Sequence, residues 1–275
     1  MKSTFRALRV YNYRLWFVGF TVSNLGVWMA RTAQDWIVLT ELTDYDAAAV
    51  GLSMALQFAP ILLLAPLAGL AADTIDRRRL LVVTQTVMGT LCLALGVLYL
   101  TGLVTLWMVY AFSLLLGIAS AFDGTARQSF VTELVSRELT TNAIGLNGTS
   151  FTLARLIGPA LAGLLTAVLG AGWVFTISCI TFAATIVAIG AMRREELNLA
   201  PPAPPARART RAGLVHLLAD PDLKIVFLSV FVFGTLGMNF PIFIATMAGV
   251  EFGLGVSEFG LLSSVVAIGS VTGAL

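Results

Sequence analysis

The sequence predicts an all-α protein threaded several times through a membrane. Three observations carry this. Hydrophobic residues make up 58% of the 275 positions and charged ones only 12%, against roughly 25% charged in ordinary soluble domains. The apolar residues fall in runs near the ~20 helical residues needed to cross a hydrocarbon core of ~30 Å. The cations collect in alternate connections between those runs.

The runs, in order, are 15–40, 47–72, 80–100, 105–122, 143–169, 173–192, 223–248 and 259–275. They predict seven full spanning helices and a shorter eighth. Backbone amides must be satisfied internally in lipid, so only helices or closed barrels cross it. No ten-residue alternation of apolar and polar residues suggests barrel strands. The basic residues before the first run also suit a signal peptide. The run is too long for one, and Arg31 and Asp35 stand where a small-residue cleavage site belongs. The segment is therefore kept as a spanning helix.

Of the 17 Lys and Arg residues, all but Arg31 and Arg155 lie between runs or, as Lys224 does, at the very start of one. Lys2, Arg6, Arg9 and Arg14 precede the first run. Arg77, Arg78 and Arg79 follow the second, and Arg127 and Arg137 the fourth. Arg193, Arg194, Arg207, Arg209, Arg211 and Lys224 follow the sixth. The other connections, 41–46, 101–104, 170–172 and 249–258, hold no cation but carry Glu41, Asp44, Asp46, Glu251 and Glu258. The positive-inside rule places the N-terminus and the basic connections in the cytoplasm.

Three segments follow. Residues 1–192 form a six-helix bundle. Residues 193–222, with Pro201-Pro202 and Pro204-Pro205, form a solvated linker. Residues 223–275 begin a second bundle. Leu25-Gly26 is echoed by Leu236-Gly237, Gly51-Leu52 by Gly260-Leu261, and Ala65 by Ala274, so the seventh and eighth helices read as copies of the first and second. The sequence then reads as part of a longer protein, cut within its second repeat.

Several chemistries find no support in the residues. No phosphate-binding loop or G-x-S-x-G elbow occurs, and the single histidine, His216, lies in the linker. No metal-ligand cluster is present, and Cys92 and Cys179 both lie in apolar runs. A net charge of +2 with no basic aromatic face argues against nucleic acid. No enzyme activity, cofactor or metal is expected.

Charge within the membrane points to function. An ionisable side chain at mid-bilayer costs at least ~2.5 kcal/mol and normally faces a water-filled path or a partner. Arg155 lies mid-way along the fifth helix. Arg31 and Asp35 stand i,i+4 on the first, where they either line a path or neutralise one another. Asn24, Gln34, Gln57 and Asn147 are further candidates for a substrate or proton pathway, or for bonds between helices.

Two motifs identify a family. The stretch Gly69-Leu70-Ala71-Ala72-Asp73-Thr74-Ile75-Asp76-Arg77-Arg78 resembles the loop motif of the major facilitator superfamily, G-x3-D-(R/K)-x-G-(R/K)-(R/K). Thr74 and Asp76 depart from it. Gly145, Ala154, Gly158, Pro159 and Gly163 resemble the G-x8-G-x3-G-P-x2-G-G motif of its antiporters, with Ala154 and Ala162 replacing glycines. Leu8 to Trp16, Ser23 to Trp28, Phe122 to Gln128 and Asn142 to Pro159 look like the bacterial branch that includes the enterobactin exporter and macrolide-type efflux proteins.

The resemblance implies a major-facilitator-type helical bundle in a bacterial cytoplasmic membrane, a monomer when full length. It implies proton-coupled export of a small amphipathic molecule (a drug, macrolide or siderophore) by alternating access. It implies a switch in which Asp73 and Arg77 form a charge cluster with Asp123. Asp35, taken as the only carboxylate well inside a helix of the first half, is the expected proton carrier. The alternative is a non-transporting membrane scaffold.

Overall fold

The computed structural model describes residues 5–198, 219–232, 243–244, 246–255, 258–262, 264–266 and 269. A short 3-10 turn, Ala7–Arg9, leads into α1 (Tyr11–Ile37), which ends in a π-turn, Val38–Leu42. There follow α2 (Ala47–Leu63), α3 (Ala65–Thr74), α4 (Arg77–Leu100), α5 (Leu106–Leu134), α6 (Arg137–Leu169), α7 (Ala171–Gly190) and α8 (Pro221–Val232). Phe243, Ile244 and Thr246 are helical, a π-turn covers Met247–Glu251, and the described residues of 258–269 are helical. Most of the linker, with His216, and positions 233–242 and 271–275 lie outside the described residues.

The run at 47–72 is not one straight helix. Its two pieces, α2 and α3, meet at an angle of 54°. Pro66 in the first turn of α3 has no N–H to bond back into α2, and its ring crowds the preceding turn. Asp46 caps the start of α2, accepting from the Ala48 N–H at 2.8 Å, and Asp76 caps α4 from the Arg79 N–H at 3.1 Å.

Among the described residues α4, α5, α6 and α7 are each long and apolar enough to cross a membrane, and the bent α2–α3 pair is long and apolar enough only if its two pieces count as one span. At 27 residues, or about 40 Å, α1 has the length but not the apolarity. Its polar side chains turn inward: Asn12, Ser23, Asn24, Gln34 and Asp35 are all buried. A hydropathy window counts residue types and is blind to which face carries them.

Helix α1 packs against α6 and α7, α4 against α5 and α7, and α2 against α5. The interior divides into two apolar layers. One holds Tyr13, Trp16, Leu81, Phe130 and Ile189, and the other Met29, Trp36, Leu95, Phe175 and Phe182. Between them runs a buried polar layer, with Ser23 from α1, Thr84 and Gln85 from α4, Asp123 from α5 and Thr185 from α7.

The basic turns gather at one end of the bundle. There the Arg193 backbone N–H donates to Asn12, whose amide donates back to the Arg193 carbonyl at 2.8 Å. The Ala7 N–H reaches Asn142 Oδ1 at 2.9 Å, and Arg78 reaches the Ile189 carbonyl at 2.6 Å. At the other end the Tyr99 hydroxyl donates to the Glu41 carboxylate at 2.8 Å.

Candidate functional site

The helices run past their apolar runs, and this changes the surroundings of Asp123. Helix α5 continues to Leu134, so Asp123, Arg127 and Glu133 are helical and buried rather than parts of a connection. Asp123 and Arg127 form an i,i+4 ion pair. Asp123 also accepts from Gln85 at 2.7 Å and Thr84 at 2.8 Å, Ser23 donates to Gln85 at 2.9 Å, and Arg127 reaches Ser23 at 3.2 Å. Arg127 stacks over Phe20 at 4.9 Å and Trp16 at 5.9 Å. This network is nearly closed, the Arg127 Nη1 being the one member atom left unpartnered. A buried charge set this fully bonded holds α1, α4 and α5 together.

The charge cluster expected around the α3–α4 turn is therefore corrected. Arg77 pairs with Glu133, not with Asp123, and donates to the Ala72 carbonyl at 3.0 Å. Asp73 is half-buried and makes no ion pair among the described residues. Gly69 faces open space. Asp123 is occupied 10 positions before Glu133 along the same helix, and the two point to different neighbours. Sequence gave no sign favouring Glu133, because its partner is 56 positions away. Asp35 is likewise not alone as an intrahelical carboxylate of the first half.

The pathway candidates separate into two kinds. Gln34 donates to Ser53 and Ser113, both at 2.9 Å, tying α1 to α2 and α5. Asn147 accepts from the Tyr13 hydroxyl at 3.0 Å near the basic end, so it joins α6 to α1 there. Asn24 is buried with its amide nitrogen unpartnered. Gln57, Gln34 and Arg31 line a small cavity of about 20 Å³ together with Ser120 and Met88, room for about one water.

Arg31 and Arg155 behave differently from Arg127. Each is half-buried, and neither makes an ion pair within 4.0 Å among the described residues. Arg31 and Asp35 thus do not close a salt bridge, although they stand one turn apart. Instead both arginines cover the same ring, that of Trp28, at 5.3 and 5.5 Å. Arg31 also covers Phe58 at 4.9 Å, and Phe151 meets Trp28 edge-on at 5.7 Å. The aromatic partners were not singled out in the sequence, although Trp28 stands three positions before Arg31, on the same helix face.

The motif on α6 works at two seams. Helix α6 runs unbroken through Pro159. A methyl group added at Gly158 would lie 2.5 Å from the Trp28 Cβ, so only glycine allows α1 this close. One added at Gly260 would lie 2.8 Å from the Pro159 carbonyl and 3.2 Å from the Gly163 Cα, and Ser264 donates to the Leu156 carbonyl at 3.3 Å. Trp36 stacks on Phe259 at 5.5 Å. The motif thus faces α1 on one side and the helical residues after 258 on the other. Ala154 is buried, whereas Gly145 is exposed with nothing near it.

Comparison with known proteins follows from this geometry. A family model described as transmembrane secretion effector matches residues 2–275. The staphyloferrin A transporter of Staphylococcus aureus is 32% identical over 159 residues, 58% of this chain and 40% of that protein. An uncharacterised major-facilitator-type transporter of Bacillus subtilis is 29% identical over 169 residues, 59% of this chain and 37% of that protein. The match spans about two fifths of the length of these curated relatives. Among solved structures, a bacterial homologue of the human lysosomal transporter Spinster, inward-facing and unoccupied, superposes with a TM-score of 0.70 at 15% identity, over 95% of this chain and 61% of that one. A POT family transporter in complex with a thioalcohol-conjugated peptide gives 0.60 at 14% identity, over 86% and 53%. At these identities the structures show the fold.

Proposed function

Because this chain belongs to the transmembrane secretion effector family of the major facilitator superfamily, we propose that it serves in proton-coupled export of a small amphipathic molecule by alternating access. In this reading residues 1–192 form one rocking bundle, 193–222 a cytoplasmic linker and 223–275 the start of the second bundle. The basic end, with the N-terminus, faces the cytoplasm of a bacterial cell. The substrate site lies near mid-membrane between the bundles. The observation that carries the reading is the inward polar face of α1, set inside a bundle of membrane-crossing helices. Polar groups held at that depth serve a path or a partner.

Asp35 is the proposed proton carrier. It is buried, one turn from Arg31, and it makes no ion pair among the described residues. A carboxylate free of a fixed partner is able to alternate between proton and substrate. The test is efflux from everted vesicles of a bacterium expressing the full gene, with staphyloferrin A, macrolides and dyes as cargo. Uptake driven by an imposed proton gradient and abolished by a protonophore is expected. Asp35→Asn is expected to lower it at least tenfold. Efflux indifferent to the gradient would remove proton coupling, and a fully active Asp35→Asn variant would remove Asp35 from the path.

A further inference from the structure

The packing of the bundle leaves two cations of the apolar runs without a salt bridge among the described residues, and only one carboxylate, Asp35, stands near the pair, one turn from Arg31. Arg31 on α1 and Arg155 on α6 lie 5.3 and 5.5 Å from the centroid of the Trp28 ring, and so within twice that distance of one another. Neither donates a hydrogen bond or forms an ion pair to a described residue. Stacking occupies the flat face of a guanidinium and leaves the N–H donors on its rim available. That rim matches a carboxylate in bidentate fashion, which an ammonium does not.

Two further features point the same way. The Trp28 indole N–H is buried with no acceptor among the described residues. The surrounding walls are aromatic, with Phe58 46% and Phe151 44% exposed beside the stacked rings. Asp35, even when ionised, offsets only one of the two positive charges. An amphipathic cation would meet net repulsion here. A molecule with an apolar or aromatic body and two carboxylates would meet two forks, an aromatic floor and one spare donor.

We propose that Arg31, Trp28 and Arg155 form a binding site for an amphipathic dicarboxylate or polycarboxylate. The proposal deepens the transport reading by naming its substrate class, and it rests on that reading for its biological use. The contrast with Arg127 supports it. That arginine also stacks on two rings, yet it is paired with Asp123 and 8% exposed. The fold thus builds a salt-bridged arginine in one place and leaves two without a salt bridge in another.

The test uses the full-length protein in lipid nanodiscs, with naphthalene-2,6-dicarboxylate as the probe and its uncharged dimethyl ester as the control. Binding is read by quenching of tryptophan fluorescence and confirmed by calorimetry. The dianion is expected to bind at least tenfold tighter than the diester, and Arg31→Gln and Arg155→Gln each to weaken it at least tenfold. Trp28→Phe is expected to remove most of the quench. Should a glutamine variant elute as aggregate, Arg31→Lys and Arg155→Lys take its place. They keep the charge, lose the fork and are expected to show the same weakening. Equal binding of dianion and diester, or a double variant that binds the dianion within twofold of the unmodified protein, overturns the site. Proton-driven efflux that ignores both arginines overturns the site while leaving transport standing. Anion binding that needs both arginines, without proton-driven efflux, supports the site and sinks the export reading.

Discussion

Arg127 and the Arg31–Arg155 pair are the same side chain in one bundle, stacked on aromatic rings in both places. They differ in whether a salt bridge closes. Arg127 bonds to Asp123 one turn away on its own helix, with Gln85 and Thr84 completing the carboxylate's hydrogen bonds. Arg31 has Asp35 at the same spacing but closes no salt bridge with it, and Arg155 has a ring face only. Aromatic stacking holds a guanidinium in position without neutralising it, and only the carboxylate removes its demand for an anion. One region is therefore built for cohesion and the other is left with unspent electrostatic attraction.

The largest expected effect breaks the closed region. Asp123→Ala strands Arg127 in the interior, and removing one partner of a buried pair costs about 3–5 kcal/mol. A collapse in folded yield and a marked fall in melting temperature in detergent should follow. Arg155→Gln, by contrast, removes a charge that has a ring face but no ion pair, and should cost no more than about 1 kcal/mol. Equal destabilisation by the two variants would erase the distinction between the regions.

A smaller effect reaches the open region through its scaffold. Gly158→Val pushes a side chain against Trp28 and should cost about 1–3 kcal/mol by overpacking, while displacing the ring that both arginines share. Gly145→Ala, on the same helix with nothing near it, is the matched control and should be neutral or slightly stabilising. Thermal melting of the two variants side by side checks the contrast. A neutral Gly158→Val would show that α1 and α6 do not pack as closely as the geometry requires.

The smallest effect on folding is expected at Asp73, the acidic counterpart of the open arginines. Asp73→Asn should leave insertion and melting unaltered, since no described partner is lost. Its effect should appear in transport, as a several-fold slower turnover if Asp73 contacts a helix of the second bundle in one of the alternating states. Unchanged turnover would remove that role.

Much of this was legible along the chain. The spans showed in runs of apolar residues, and the α6 motif showed in its small residues and Pro159. Arg31, Asp35 and Arg155 stood out because charge is rare in such runs. What stayed hidden was lateral. The sequence could not say that Asp123 faces Arg127 and Gln85 while Glu133 faces Arg77. It also gave no reason to join Arg31 to Arg155 through Trp28, because those positions lie on helices far apart in sequence and their rotation is set by packing.

The amino-acid order by itself determined that the chain lives in lipid, where most of its described helices start and stop to within a turn or two (the end of α5, three turns beyond its apolar run, is the exception), and which turns carry positive charge. Transfer between water and hydrocarbon depends on local composition, so that information is written locally. The tertiary structure alone decided which charges are neutralised and which stay open, and which glycines lie at helix contacts. Those outcomes depend on the few ångströms that separate side chains of neighbouring helices, a distance that no single segment encodes.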